Sequence, residues 1–386
     1  MKILLAAPTY LPSRRANTLQ VMKMAQAIQA LGHEVRVLVP DSGSGDISNW
    51  DDLARHYGLA REFDVRWLPV SSRFRSYDYG IKVVQHFRSW GADILYTRLP
   101  QAAALASTLK IPTVFEVHDL PGGVMAPWLH RRFLRGKGAL RLVIITRALR
   151  NALQQEVLSL PDPPFTTIAP DGVDLVRYKE LPNPREARIS LSAALPQAAV
   201  DQFTIGYTGH LYPGRGARHI LAIAENLPEF SFLLVGGDPE AVGDLGREVD
   251  HLGLSNVILT GFVPNKDLPI YQAACDVLLM PYQRKVAASS GGNIADYLSP
   301  MKLFEYLACG RVILSSDLPV LREVLSERNA ILLPPDNVGA WVKAIKDIEA
   351  DLPRQQALQS QARKDSALYT WEARSAQIFP DLRESP

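Results

Sequence analysis

Ser299-Pro-Met-Lys-Leu-Phe-Glu-Tyr-Leu-Ala-Cys-Gly310, running on through Val312-Ile-Leu314 to Ser315-Ser-Asp-Leu-Pro319, decides the class of this chain. A Pro near the start, apolar Leu303, Tyr306 and Leu307 at helical spacing, and a closing Gly predict a helix of about three turns feeding a buried strand. Lys302 and Glu305, three apart, share one face of that helix. The helix N-terminus and Lys302 favour an anion, and Glu305 can accept from vicinal hydroxyls, so the pair suits a ligand with phosphates and sugar hydroxyls, such as a nucleotide sugar. A surface ion pair on an amphipathic helix explains the same two charges.

Outward from this helix, short apolar runs alternate with helical patterns. In the first half the runs are 3–7, 34–39, 65–69, 93–97, 113–117 and 142–146, with a helix over 18–31. In the second half they are 203–208, 231–235, 257–259, 277–280, 312–315 and 331–333. Such alternation predicts right-handed βαβ units and mostly parallel sheets covered on both faces, an α/β chain of two doubly wound domains. The stretch 181–200 carries three Pro and few large apolar residues, which places the boundary there: 1–190, 191–368, and a terminal helix over 369–386 with Trp371 and Phe379 on its apolar side. Ligands of such sheets sit outside the carboxyl ends of the strands.

Three further stretches carry chemistry. Gly209-His-Leu-Tyr-Pro-Gly-Arg-Gly216 lies between a strand and a helix, where backbone N–H groups and Arg215 can hold phosphate; a tight turn is the other reading. Glu116-Val-His118-Asp119 ends a strand, so His118 and Asp119 emerge at its carboxyl end; a structural histidine and a turn cap are the alternatives. Leu11-Pro-Ser-Arg-Arg-Ala-Asn-Thr18 precedes the first long helix, with Arg14, Arg15 and Asn17 as donors to a ligand, or Asn17 and Thr18 as helix caps.

Over nearly its whole length the chain resembles the retaining glycosyltransferases of family 4, of the GT-B fold. The resemblance implies two Rossmann-like domains facing a cleft, with the C-terminal helix crossing back to the N-terminal domain. It also implies a site. Glu305 would grip the donor ribose, with Gly209, His210, Arg215, Gly216, Ser299 and Lys302 completing the donor subsite. His118 would approach the reacting sugar, making His118, Arg215 and Lys302 the catalytic set. Arg15, Asn17, Asp119 and Asn293 would serve the acceptor or sugar side, and Asp171-Gly-Val-Asp174 resembles the family's turn at the domain junction. The chain departs from the pattern at four places: Arg215 stands for a Lys, His210 for an Arg, Tyr297 for a Glu eight residues before Glu305, and the Gly-Gly pair of the first loop is missing. The loop 289–293 is the expected replacement for the sugar contacts of that Glu.

No two Asp are separated by a single residue, so the Asp-x-Asp clamp of the other large glycosyltransferase fold is absent, and neither a metal nor a cofactor is expected. The formal charge of +2 hides an asymmetry: residues 1–170 carry 21 basic and 13 acidic groups (+8), the remainder 21 and 27 (−6). The stretch 125–141 concentrates it, with Trp128, Leu129, Phe133 and Leu134 among Arg131, Arg132, Arg135, Lys137 and Arg141. This pattern suits either an anionic membrane holding a lipid-linked acceptor or a half-buried helix with an Arg-rich polar face; nucleic acid is not expected. Two cysteines without metal-ligand spacing, an N-terminal apolar run stopped by Pro8, and no run of spanning length predict a cytoplasmic protein, with the inner membrane face as its contact.

The expected activity is transfer of a hexose-type unit from a nucleoside diphosphate sugar to an acceptor hydroxyl with retention. A nucleotide-sugar 2-epimerase of the same fold and an inert nucleotide-binding scaffold are the alternatives, the latter motivated by Tyr297 and the missing Gly-Gly pair.

Overall fold

Every strand in the two sheets is parallel to its neighbours, as the alternating pattern requires. The computed structural model describes residues 1–41, 49–71, 74–156, 159–287 and 292–379. These form two units, Met1–Asp171 with Trp371–Pro386, and Gly172–Thr370.

The first unit runs β1 (Lys2–Ala6), α1 (Ala16–Ala30), β2 (Glu34–Pro40), α2 (Trp50–Tyr57), β3 (Asp64–Leu68), α3 (Arg75–Trp90), β4 (Ile94–Thr97), α4 (Pro100–Thr108), β5 (Thr113–Val117), α5 (Met125–Leu134), β6 (Ala139–Ile144), α6 (Arg147–Glu156) and β7 (Thr166–Ile168). Its sheet order is β3-β2-β1-β4-β5-β6-β7. The second unit runs α7 (Pro184–Ser190), β8 (Thr204–Thr208), α8 (Ala217–Glu225), β9 (Ser231–Val235), α9 (Pro239–His251), β10 (Val257–Gly261), α10 (Leu268–Ala273), β11 (Val277–Met280), α11 (Met301–Cys309), β12 (Val312–Ser316), β13 (Ile331–Leu333), α12 (Val338–Glu349) and α13 (Leu352–Ser366). Here the order is β10-β9-β8-β11-β12-β13. Each sheet is therefore Rossmann-like, and its order reverses between β1 and β4 or between β8 and β11, the points where such sheets take ligands.

Helices cover both faces, so β5, β8, β9, β11 and β12 are buried at every position and are predominantly apolar. Trp341 of α12, Tyr207, Ile220 and Phe232 centre the core of the second unit; Leu4, Leu38, Leu95, Val83 and Phe87 belong to that of the first.

The change of unit falls at 171/172, not at the predicted 190/191. The segment before 191 belongs to the second unit because α7 is tied there: buried Arg188 donates to the carbonyls of Val200 (2.8 Å) and Ala274 (2.9 Å) and pairs with Asp276 at 2.8 Å. Tyr178 donates to Gln272 Oε1 at 2.9 Å. The return falls at 370/371 rather than 368/369.

The last helix, α14 (Trp371–Ile378), packs against α1 in the first unit. Phe379 meets Tyr96 edge-on at 5.5 Å, and Arg141 donates to the carbonyls of Gln377 and Ile378. Arg141 therefore leaves the basic face predicted over 125–141. So does the apolar partner Phe133, fully buried against Phe115 at 5.3 Å. Val124, Met125 and Trp128 remain exposed on that segment, beside exposed Arg131, Arg132, Arg135 and Lys137. Among the described residues no helix is long and apolar enough to cross a membrane.

Candidate active site

In the second unit the turn from Gly209 to Gly216 leaves the carboxyl end of β8, beside the switch point, and opens α8. Gly209 has φ 131°, and a Cβ there would stand 2.8 Å from Lys302 Nζ, so glycine makes room for the lysine. Gly216, at the N-cap of α8 with φ 90°, has the Pro281 carbonyl where a Cβ would lie, 2.1 Å away. Both positions require glycine on two counts, positive φ and contact.

Lys302 extends from the first turn of α11. As a residue it is half-buried, but its Nζ is sealed from solvent and has no hydrogen-bond partner among the described residues. It rests on the Tyr207 ring, 3.6 Å from the centroid, with the Tyr282 ring at 5.7 Å. Arg215 shares this cage: Nη1 donates to the Tyr282 hydroxyl at 3.2 Å, while Nε is buried and unpartnered. Burial holds the Lys302 ammonium well below the usual lysine range, the Arg215 charge lowers it further, and Glu305 partly opposes both. Two cations enclosed without a carboxylate partner are costly in isolation. They are poised for an anion.

Glu305, one turn along α11, is 9% exposed. Its Oε2 accepts from Gln272 Nε2 at 3.1 Å, and that amide also donates to Thr208 Oγ1 at 3.1 Å. The Tyr306 hydroxyl accepts from Thr208 N at 2.8 Å. These bonds lock α11 onto the end of β8, and Gly310 closes the helix in the left-handed conformation at φ 63°.

His210 lies flat on Tyr212, ring centroids 4.7 Å apart, and Ser299 is half-buried just before Pro300. Exposed Asn293 uses Oδ1 to brace its own turn, accepting from Val286 N (2.8 Å) and Ala295 N (3.1 Å). Residues 289–291 of the predicted sugar loop lie outside the described residues. Tyr297 is 8% exposed and donates to the Asn293 carbonyl at 3.2 Å.

In the first unit His118 follows β5 and keeps 21% of its side-chain surface exposed. Its Nε2 meets Glu116 Oε1, while Glu116 is fully enclosed and also accepts from Gln20 Nε2 (2.7 Å) and Tyr96 OH. Arg374 of α14 stands 2.9 Å from Glu116 Oε2, at ion-pair distance though not aligned as a hydrogen bond. Burial would raise the Glu116 carboxyl, but Arg374 and His118 hold it at about 2. Burial lowers His118 to about 4, with Arg98 adding to the drop and Glu116 opposing it. Asp171 is pushed up by burial to about 7 against the pull of Arg374.

Arg15 is exposed at the N-cap of α1 and makes no side-chain cap there. Asn17 and Thr18 lie inside the first turn and do not cap it: the Asn17 carbonyl accepts from Arg98 Nη1 at 3.2 Å, and the Thr18 hydroxyl meets Thr9. Exposed Asp119 accepts from Leu120 N at 2.8 Å. The tyrosine cage and the cluster of Gln20, Tyr96, Arg98, Glu116 and Arg374 have no local signal in the sequence.

Residues 18–171 match the family described as a glycosyl transferase 4-like domain, and 202–351 match glycosyl transferases group 1. The chain is 36% identical over 119 residues to 2-deoxystreptamine glucosyltransferase of Streptomyces kanamyceticus, which is 30% of either protein. It is 26% identical over 227 residues, 56% of either protein, to a GDP-mannose-dependent alpha-(1-6)-phosphatidylinositol monomannoside mannosyltransferase of Mycolicibacterium smegmatis. These matches therefore span from about a third to just over half of the curated relatives' length. Among solved structures, HepE of Anabaena in complex with UDP is similar over 100% of both chains, with a TM-score of 0.75 at 19% identity. WaaG, a glycosyltransferase involved in lipopolysaccharide biosynthesis, is similar over 98% of this chain and 100% of its own, with a TM-score of 0.66 at 18% identity. At these identities the likeness establishes the fold.

Proposed function

Since the chain carries a glycosyl transferase 4-like domain over 18–171 and a glycosyl transferases group 1 domain over 202–351, we propose that it moves a hexose-type sugar from a nucleoside diphosphate to an acceptor hydroxyl, with retention at the anomeric carbon. The observation that carries this reading is the pair of enclosed cations, Lys302 and Arg215, at the Gly209–Gly216 turn, one helical turn from Glu305. A diphosphate supplies the charge the cations lack, and ribose hydroxyls complement the carboxylate. In the reaction the bond from the anomeric carbon to the diphosphate breaks and the acceptor oxygen bonds on the same face. The departing diphosphate oxygen takes the hydroxyl proton. Lys302 and Arg215 stabilise the charge that develops on it, so no divalent metal is required. His118 contacts the sugar near the reacting carbon.

The relatives named for phosphatidylinositol mannoside and lipopolysaccharide synthesis, together with the exposed apolar and basic segment at α5, support a lipid-linked acceptor, handled at the inner face of the membrane in glycan or glycolipid synthesis. Calorimetry with UDP, GDP and ADP tests the donor site. Glu305→Ala should weaken the bound nucleotide by about 1.5–3 kcal/mol, the worth of hydrogen bonds to a charged group. An unchanged Kd in a folded variant removes Glu305 from the site. Transfer should persist in EDTA; an epimerised sugar formed from donor alone would select the epimerase, and binding without turnover on any acceptor the scaffold.

A further inference from the structure

We propose that Arg374 is a positioning residue for His118: reaching from the returning helix α14, it supplies the cation that buried Glu116 needs, so that Glu116 holds the imidazole by a hydrogen bond without drawing a proton onto it. The placement of His118 beside the sugar rests on the proposed transfer; the charge relation within this cluster does not.

The geometry leaves Glu116 few alternatives. A fully enclosed carboxylate requires a cationic partner, and two candidates touch it, Arg374 and a protonated His118. Arg374 is a permanent cation and is held at three points: Nε donates to the Pro170 carbonyl at 2.9 Å, Nη1 donates to the Tyr96 oxygen at 3.3 Å, and Nη2 stands 2.9 Å from Glu116. Tyr96 and Gln20 complete the shell of Glu116 as neutral donors, and Gln20 is itself oriented by Arg98, whose Nη1 donates to Gln20 Oε1 at 3.0 Å. The remaining charged groups acting on the cluster are Arg98, which disfavours a second cation at His118, and Asp171, drawn towards Arg374 and Arg98. With Nε2–H committed to Glu116, neutral His118 keeps a lone pair on Nδ1, an acceptor for a sugar or acceptor hydroxyl.

Nitrogen-15 NMR of the histidine-labelled full-length protein reads the tautomer directly. In the wild type His118 should be the neutral Nε2–H form from pH 6 to 8. In Arg374→Met, Glu116 loses its cation, and His118 should become imidazolium at pH 7, which from about 4 requires a gain of about a thousandfold or more in proton affinity. Arg374→Lys should restore the neutral form, as should Arg374→Met combined with Glu116→Gln, which removes the charge that needs balancing. Glu116→Gln alone should lower the proton affinity of His118 and serves as the second test if Arg374→Met does not fold. A neutral His118 in folded Arg374→Met, or a raised proton affinity in Glu116→Gln, overturns the proposal. In transfer assays kcat of Arg374→Met should recover as pH rises through the new titration while KM holds. If the NMR result is as expected but the kcat profile does not move, the charge relation stands and the placement of His118 at the reacting sugar falls.

Discussion

Lys302 shows what a single residue contributes when its surroundings are incomplete. Its ammonium is enclosed by Tyr207 and near Arg215, with no carboxylate bonded to it among the described residues, so burial and a like charge hold its pKa well below the usual lysine range. A bound diphosphate favours the protonated form and raises that pKa again. Between the two values binding must therefore take up a proton, and affinity must fall as pH rises. Calorimetry of nucleoside diphosphate binding in buffers of different ionisation enthalpy should show net proton uptake, and Lys302→Met should abolish it. Arg215 differs in that its charge is permanent and its planar fork is set against Tyr282. Arg215→Ala should lower diphosphate affinity by about 2 kcal/mol, in the range for a charged hydrogen bond, and leave nucleoside affinity unchanged, with Arg215→Lys between. Equal losses for nucleoside and diphosphate would exclude a phosphate contact.

At the scale of the element, α5 is a half-buried helix whose outward side is partly apolar and ends in basic residues. Leu129, His130 and Phe133 are buried against the sheet, where His130 and Phe133 meet Phe115. The outward side carries Met125 and Trp128, with Val124 88% exposed just before the helix, and the basic residues follow at its C-terminal end. Apolar groups able to enter a headgroup region, next to cations worth about 1 kcal/mol each near an anionic leaflet, should give reversible, salt-sensitive binding to vesicles containing anionic lipid. Sedimentation with such vesicles in rising salt measures it. Arg131, Arg132 and Arg135 changed together to Ser should leave the protein in the supernatant, without loss of fold, since all three are exposed.

Across the whole molecule, the chain leaves the first unit at Asp171 and re-enters it at Trp371, and the re-entering helix completes that unit's core. Trp371, Ile378 and Phe379 are buried there, and Arg374 neutralises Glu116. Ending the chain at Thr370 removes the cation from a buried pair, which alone costs about 3–5 kcal/mol, before the lost apolar contacts. Chemical denaturation of the truncated chain should show the first unit destabilised by at least that amount, and the second, whose internal bonds are untouched, unchanged.

Periodicity and punctuation are local, so the strands 113–117, 231–235, 277–280 and 331–333 coincide with β5, β9, β11 and β13 as read. For the same reason Lys302 and Glu305 share a face of α11 and Gly310 ends it. β7 escaped notice because Thr166-Thr-Ile168 holds a single apolar residue and so offers no apolar run, unlike the equally short Ile331-Leu-Leu333 of β13. The unit boundary was misplaced because buried Arg188, a charged residue, ties α7 into the second unit, and only contacts distant in sequence reveal that it is inside. Amino-acid pattern alone thus determined two doubly wound parallel sheets and the turn and helix that carry the candidate site. Which residues enclose it was left to the tertiary structure. Tyr207 and Tyr282 around Lys302 and Arg215, and Arg374 beside Glu116, are pairings between different elements, and the chain's local preferences hold no record of which side chains packing will bring within a few ångströms of one another.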